Sequence, residues 1–336
     1  MTASLPASAA DLLMVGPLLP DLVADLESRY RVHRLWEAQD PALLLREHGA
    51  AIRGIATSGR FGATKELIDA LPALEGIFSF GVGYDTIDIT AAEARNVVVT
   101  NTPGVLDACV ADTALALMLA VSRRIAEADR FVRAGRWPTE GFGLGSRMTG
   151  KRCGIVGLGN IGLQIARRAQ AFDMDILYTN RKPRPDAPEN YRYCPDIVEL
   201  ASQCDFLVLA VPGGGATRHM VNAQVLDALG AEGWLINIAR GTVVDEAALV
   251  AALQNKRIAG AGLDVFEPEP LLPDDELLTL DNVVLSPHSL CWTEDFTRDV
   301  AASAIASILA TAAGERPANV LNPEVFETAA FAAKRG

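Results

Sequence analysis

The stretch Cys153-Gly-Ile-Val-Gly157-Leu-Gly159-Asn160-Ile161-Gly162 constrains the fold more than any other part of this 336-residue chain. An apolar run, Cys153 to Val156, reads as a buried strand; three glycines follow at GxGxxG spacing; a helical pattern then runs from Ile161 to Phe172. Each glycine has its own task in such a turn. Gly157 permits the sharp strand-to-helix reversal, Gly159 lets backbone approach a pyrophosphate, and Gly162 lets helix and strand pack closely. The helix N-terminus, with Asn160 and Ile161 in its first turn, offers unpaired N–H groups and a positive dipole end to phosphate. A bare GxGxxG matches many turns by chance, but here strand, turn and helix fall in the order that dinucleotide binding requires.

The length leaves room for two domains, and half of the residues are hydrophobic, enough for a large core. A net charge of -12 argues against a nucleic-acid or anionic-membrane surface, since both need a basic face. A local basic pocket for an acidic substrate remains compatible with it. The cysteines, Cys109, Cys153, Cys194, Cys204 and Cys291, are scattered and lack CxxC spacing. They read as reduced thiols of a cytoplasmic protein with no metal site. Asp11 and Asp21, with no early basic region, argue against a signal peptide. The most apolar helix, Ala114 to Val121, is too short to span a bilayer.

Residues 1–100 alternate apolar runs (12–15, 31–36, 52–56, 76–80 and 97–100) with helical patterns such as 18–28 and 65–70. That alternation predicts a parallel sheet covered on both faces by helices. A glycine-rich turn, Phe80-Gly81-Val82-Gly83-Tyr84-Asp85, follows one strand. Its N–H groups suit a carboxylate, and it serves equally well as a plain turn before the next helix. Thr100-Asn-Thr-Pro-Gly104 reads as a crossing between domains, followed by a long helix over 105–122 and another to about 134. The glycine-rich 135–150 segment reads as an extended arm. Strands then recur at 176–179, 206–211, 234–238, 259–264 and 283–286, with helices between them and a last one at 295–313. Val211-Pro212 closes a strand at the edge where ligands bind in such sheets. Asp245 fits an N-cap. The alanine-rich end is helix-like or frayed.

Taken together, Gly81-Val-Gly-Tyr-Asp85, Asn101-Thr-Pro-Gly104, Gly157 to Gly162, Asn237-Ile-Ala-Arg-Gly241, Gly262-Leu-Asp-Val-Phe-Glu-Pro-Glu-Pro270 and Ser286-Pro-His288 resemble the D-isomer-specific 2-hydroxyacid dehydrogenases over nearly the whole chain. The resemblance is greatest to the glyoxylate/hydroxypyruvate reductase branch. It implies an α/β protein of two Rossmann-like, doubly wound parallel-sheet domains with a cleft between them that holds the active site. The flavodoxin-like substrate domain would comprise residues 1–101 and 289–336, with the NAD(P)-binding domain, 102–288, inserted. A homodimer is also implied, with the glycine-rich arm and the 105–122 helix as candidate contacts.

By that resemblance Arg240, Glu269 and His288 carry the chemistry. Reducing a 2-oxo acid needs a hydride at the carbonyl carbon, a proton at its oxygen and an anchor for the carboxylate. A guanidinium at Arg240 can grip carboxylate and carbonyl oxygens together. His288 would donate the proton in reduction and accept it in oxidation. Glu269 would bond its other ring nitrogen and favour the imidazolium. Glu267 competes for that place, and the resemblance to the family motif selects Glu269. Val82 and Gly83 N–H groups would hold the substrate carboxylate. Asp264 is expected near the nicotinamide amide, or as a strand-end turn residue. Val211, Pro212, Thr217, Ile238 and Ala239, with Arg240 and His288 themselves, complete the implied nucleotide lining. After His288 the family usually places glycine and small residues; here Ser289-Leu290-Cys291-Trp292 puts substrate size in doubt, Leu290 first.

An NAD-selective site needs an acid at the end of the second strand, for the ribose 2′-OH. This strand ends in Asn180-Arg181-Lys182 instead. Arg181 and Lys182 could meet a 2′-phosphate with Asn180 adding a hydrogen bond, so NADP(H) is expected over NAD(H); a solvated basic loop is the plain alternative. The leading function is therefore NADPH-dependent reduction of glyoxylate or hydroxypyruvate. A larger aromatic 2-oxo acid such as hydroxyphenylpyruvate, or nucleotide sensing without catalysis, are the alternatives.

Overall fold

The computed structural model describes residues 10–328. The alanine-rich end, and the first nine residues where no leader is expected, lie outside the described residues. The chain divides into two compact units, Met1–Leu106 with Glu294–Gly336, and Asp107–Thr293.

In the first unit five parallel strands, β1 (Asp11–Met14), β2 (Arg31–Arg34), β3 (Ile52–Thr57), β4 (Gly76–Ser79) and β5 (Val98–Thr100), run in the order β2-β1-β3-β4-β5. Leu12, Leu13 and Met14 are all buried, as are all four residues of β4. Strands buried on both faces read as unbroken apolar runs, because helices cover each side of a parallel sheet. The segment expected as strand over 31–36 stops at Arg34 and closes into a single tight helical turn, Leu35–Glu37. A helix that periodicity does not announce, Pro41–His48, starts where Asp40 caps the Leu43 N–H and proline takes the first helical position. The chain returns to this unit with the helix Glu294–Ala313, which buries Phe296, Val300, Ala304 and Ile308. Asn322, fully buried, then stitches the C-terminal segment to β5 by accepting from Val99 N–H at 2.9 Å and donating to Val97 C=O at 2.8 Å. Leaving either partner unsatisfied there would cost about 1–3 kcal/mol.

The second unit holds seven parallel strands: β6 (Arg152–Val156), β7 (Asp175–Thr179), β8 (Arg192–Tyr193), β9 (Phe206–Leu209), β10 (Trp234–Asn237), β11 (Gly260–Leu263) and β12 (Val283–Leu285). Their order is β12-β11-β10-β9-β6-β7-β8. From β6 the chain winds outward through β7 and β8, then crosses to β9 and winds the other way. The switch point therefore lies beside β6, where the glycine turn begins, which is where such sheets bind ligands. The two-residue β8 carries too little pattern to be read from sequence. Asp196, Asn222 and Asp245 each cap the helix that follows them. Such caps contribute about 1 kcal/mol each and fix where helices begin. Full burial of one Leu or Val contributes about 1.5–3 kcal/mol, so burial rather than capping holds the layers together. The helix Asp107–Ser122 buries nine of its residues, Leu115, Leu117 and Met118 among them. The 141–148 arm has no regular structure.

Candidate active site

The glycine turn is built as its residues require. Gly157 has φ +97°, and a Cβ there would lie 2.6 Å from the Ala210 carbonyl oxygen. At Gly162 a Cβ would lie 2.2 Å from the Gly157 carbonyl oxygen, so any side chain would push the helix Asn160–Gln170 off β6. A Cβ on Gly159 meets no protein atom within 4 Å, so packing gives no reason for glycine there. The reason fits a ligand approaching the backbone. Asn160, Ile161 and Gly162 form the first helical turn, which has no side-chain cap, so its N–H groups are offered to an anion. These features fit a dinucleotide pyrophosphate.

Beyond β7, Asn180 Oδ1 accepts from Leu158 N–H at 2.7 Å, and Arg184 Nη1 donates to Leu158 C=O at 3.0 Å. Asn180 thus holds the glycine turn in place, a task the sequence reading did not assign it. Arg184 is also paired with Asp186 at 2.8 Å. Arg181 and Lys182 are exposed and make no ion pair among the described residues. Val211 and Pro212 follow β9, and a Cβ on Gly157 would lie 2.8 Å from the Val211 side chain. Thr217 Oγ1 donates to Pro212 C=O at 2.8 Å and closes that loop on itself.

On the second unit Arg240, Glu269 and His288 come from the ends of three neighbouring strands. Ile238 and Ala239 are buried at the end of β10. Asn237, also buried, accepts from Ala239 N–H at 3.0 Å and donates to Arg240 C=O at 2.9 Å, forming a side-chain turn that aims Arg240. Gly241 then packs so closely on the next loop that a Cβ would fall 1.9 Å from the Phe266 carbonyl oxygen. Only glycine lets the Arg240 turn and the Glu269 loop share this space.

His288 Nδ1 contacts Glu269 Oε2 at 2.8 Å, and Glu269 Oε1 accepts from Phe266 N–H at 3.0 Å. Burial alone would push the Glu269 carboxyl up. Hydrogen bonds from His288 and Phe266 N–H, with the charges of His288 and Arg240, hold it below its ordinary value. Glu269 therefore stays ionised against His288 and leaves imidazole Nε2 for another partner. His288 sits at φ +53°, a left-handed conformation that costs a non-glycine residue of order 1–3 kcal/mol. Asp264 offsets this: its buried carboxylate accepts from the Ser286 hydroxyl and from the Ser289 and Leu290 N–H groups, on both sides of His288. Burial raises the Asp264 pKa despite those bonds and the His288 charge. Leu290 and Trp292, in the segment that departs from the family pattern, are both exposed.

Glu267 is engaged elsewhere: Oε1 accepts from Arg218 Nη1 at 2.9 Å, and Oε2 lies 3.5 Å from His219 Nε2. Geometry thus separates the two glutamates that spacing alone left in competition. In the first unit, Val82 C=O accepts from Asn101 Nδ2 at 2.9 Å and Gly83 C=O from Ser79 Oγ at 3.2 Å. With both carbonyls tied back, the Val82 and Gly83 N–H groups have no backbone or side-chain acceptor within that turn.

A family model described as D-isomer specific 2-hydroxyacid dehydrogenase, NAD binding domain, matches residues 115–289. The chain belongs to this family. It is 48% identical over 280 residues to hydroxyphenylpyruvate reductase of Plectranthus scutellarioides, covering 83% of this chain and 88% of that one. It is 47% identical over 276 residues to glyoxylate/hydroxypyruvate reductase A of Arabidopsis thaliana, covering 82% and 87%. The crystal structure of the NADPH-dependent glyoxylate/hydroxypyruvate reductase of Sinorhizobium meliloti, in complex with NADP and malonate, superposes with a TM-score of 0.87 at 41% identity, covering 94% of this chain and 97% of that one. As a 2-hydroxyacid dehydrogenase the chain is an oxidoreductase with a Rossmann NAD(P)-binding domain. No described helix is long and apolar enough to cross a membrane, and no described cluster of His, Cys, Asp or Glu is arranged for a metal.

Three supporting residues, Asn237, Gly241 and Ser286, carried no role in the sequence reading beyond membership of a motif. The Asn-x-x-Arg spacing is a signal for the first, because asparagine two residues before a backbone N–H favours such a turn. The 1.9 Å approach at Gly241 has no sequence signal.

Proposed function

We propose that this dehydrogenase reduces a small 2-oxo acid, glyoxylate or hydroxypyruvate, to the D-2-hydroxy acid with NADPH. The observation that carries the reading is the 2.8 Å His288–Glu269 contact with the Arg240 charge beside it. A reduced nicotinamide dinucleotide held at the Gly157–Gly162 turn would supply the hydride for the carbonyl carbon. Arg240 binds the carboxylate and carbonyl oxygens and polarises the carbonyl. His288 delivers a proton from Nε2 to the developing alkoxide, while Glu269 on Nδ1 fixes the tautomer and favours the charged ring. The Val82 and Gly83 N–H groups are proposed to bind a substrate carboxylate. Asp264 is proposed to serve the nicotinamide amide as well as the His288 loop.

The exposed, unpaired Arg181 and Lys182 support a 2′-phosphate partner, as does the NADP bound to the Sinorhizobium meliloti relative. The deciding experiment follows nicotinamide oxidation with glyoxylate, hydroxypyruvate and hydroxyphenylpyruvate, each with NADPH and NADH, for the wild type and Arg181→Ala. Turnover of a small acid, with NADPH favoured and its affinity lost about tenfold or more in the variant, is expected. Equal loss toward both nucleotides would overturn the phosphate assignment. Turnover of the aromatic acid alone would favour the second reading, which exposed Leu290 and Trp292 and the Plectranthus relative support. Nucleotide binding without turnover of any acid would favour a sensing role.

The arm and the helix Ile125–Arg133 support a homodimer. That helix buries Phe131 alone, while Ile125 and Val132 on it, Trp137 at 70% exposure and Leu144 at 96% face outward in one continuous stretch of chain. Light scattering should give twice the chain mass, and Leu144→Glu with Trp137→Glu should halve it; a monomeric wild type defeats the proposal. The five cysteines are free, which suits the cytoplasmic location we propose.

A further inference from the structure

Glu267 is left without a part in proton transfer, yet it is held more firmly than a bystander requires. Its side chain pairs with Arg218 at 2.9 Å and approaches His219 at 3.5 Å. Its N–H donates to the Glu246 carboxylate at 3.2 Å, at the start of the helix Glu246–Gln254. Arg218 and His219 end the loop that begins at Pro212, and the Thr217 hydroxyl bonds to Pro212 and Gly214 carbonyls make 212–217 a closed unit. The same loop is tied on its other side by His219 N–H to Thr242 C=O at 2.8 Å and Val221 N–H to Val243 C=O at 3.0 Å, just after Arg240. One loop is thus fastened at two points, beside Arg240 and beside Glu269.

From this geometry we infer that the Arg218–Glu267 pair is a latch that positions the nucleotide-side loop, residues 212–217, against the loop that carries Glu269. The inference rests on the reading of 212–217 as nucleotide lining. Arg218 and Glu267 are positioning residues: neither touches the reacting atoms. The pair is half exposed, so the effect is modest and appears in loop order and nucleotide affinity, not in global stability. Losing Glu267 removes both the Arg218 and the His219 contact, whereas losing Arg218 removes only one.

The test is a double-mutant cycle of Arg218→Gln and Glu267→Gln with three readouts. Hydrogen exchange of the nucleotide-free protein should show residues 212–221 exchanging about threefold faster in either variant. Fluorescence titration should show Kd for NADPH raised about threefold in each, with the double variant no weaker than Glu267→Gln alone. KM for the 2-oxo acid should stay at the wild-type value, and Arg218→Lys should restore most of the affinity. Unchanged exchange in 212–221, or effects that multiply in the double variant, overturns the latch. A wild type that turns over no 2-oxo acid defeats the preceding reading instead. In that case exchange and NADPH affinity still decide the latch.

Discussion

His288→Asn lowers kcat for 2-oxo acid reduction by about 10²–10⁴-fold, the contribution expected of a positioned proton donor. Asparagine is the informative replacement because His288 lies at φ +53°, and asparagine tolerates left-handed backbone better than most residues. A loss of activity then reports the missing imidazole and not a rebuilt loop. NADPH binding, measured by fluorescence titration, should persist. A variant within about tenfold of wild type would assign the proton to another group. Glu269, held below the ordinary carboxylate pKa despite its burial, stays charged beside His288 at neutral pH. Glu269→Gln keeps the side chain's shape and removes the charge, so kcat for reduction should fall about tenfold or more while NADPH binding persists; an unchanged kcat would release Glu269 from its role. The same lowered pKa makes stability depend on pH. A carboxylate with a lowered folded pKa stabilises the fold above its unfolded pKa, and that contribution is lost as pH falls through the folded value.

Arg240→Met lowers kcat/KM for the 2-oxo acid by about 10²–10³-fold, the scale for removing one partner of a desolvated charge pair. Most of the loss should appear in KM, because a methionine keeps the stem and gives up the carboxylate grip. Arg240→Lys should recover little, since an ammonium cannot present two parallel donors to carboxylate and carbonyl oxygens. Full recovery by lysine would mean that charge alone suffices and the bidentate geometry is wrong. The turn at position 240 should survive the change because Asn237 holds it through the Ala239 N–H and the Arg240 C=O, although the guanidinium's own bond from Nη1 to the Ala239 carbonyl at 2.7 Å is lost.

The two substitutions probe different layers of what was legible in advance. The sheet class was legible because parallel strands buried on both faces leave unbroken apolar runs, and GxGxxG marked where the second sheet reverses its winding. The helix Pro41–His48 escaped periodicity because none of its residues is fully buried, so it has no apolar stripe to display. Its Asp-Pro start was the available signal. The triad was legible as local motifs, but motif order says nothing about contact.

Sequence by itself determined which residues could do chemistry, since residue type and neighbours along the chain set the strand ends, the glycine turn and the Arg, Glu and His supply. Tertiary structure alone decided which of them meet. Glu267 and Glu269 are two residues apart and chemically identical, yet one pairs with Arg218 and the other with His288. Asn180 uses its Oδ1 to hold Leu158 N–H, a contact that the strand-end residues do not announce. Asp264 stands under the His288 loop as its hydrogen-bond acceptor. The physical reason is common to all three. A side chain's partner is set by the direction its backbone turn gives it and by the groups that distant strands bring within about 3 Å, and neither quantity is written in local sequence.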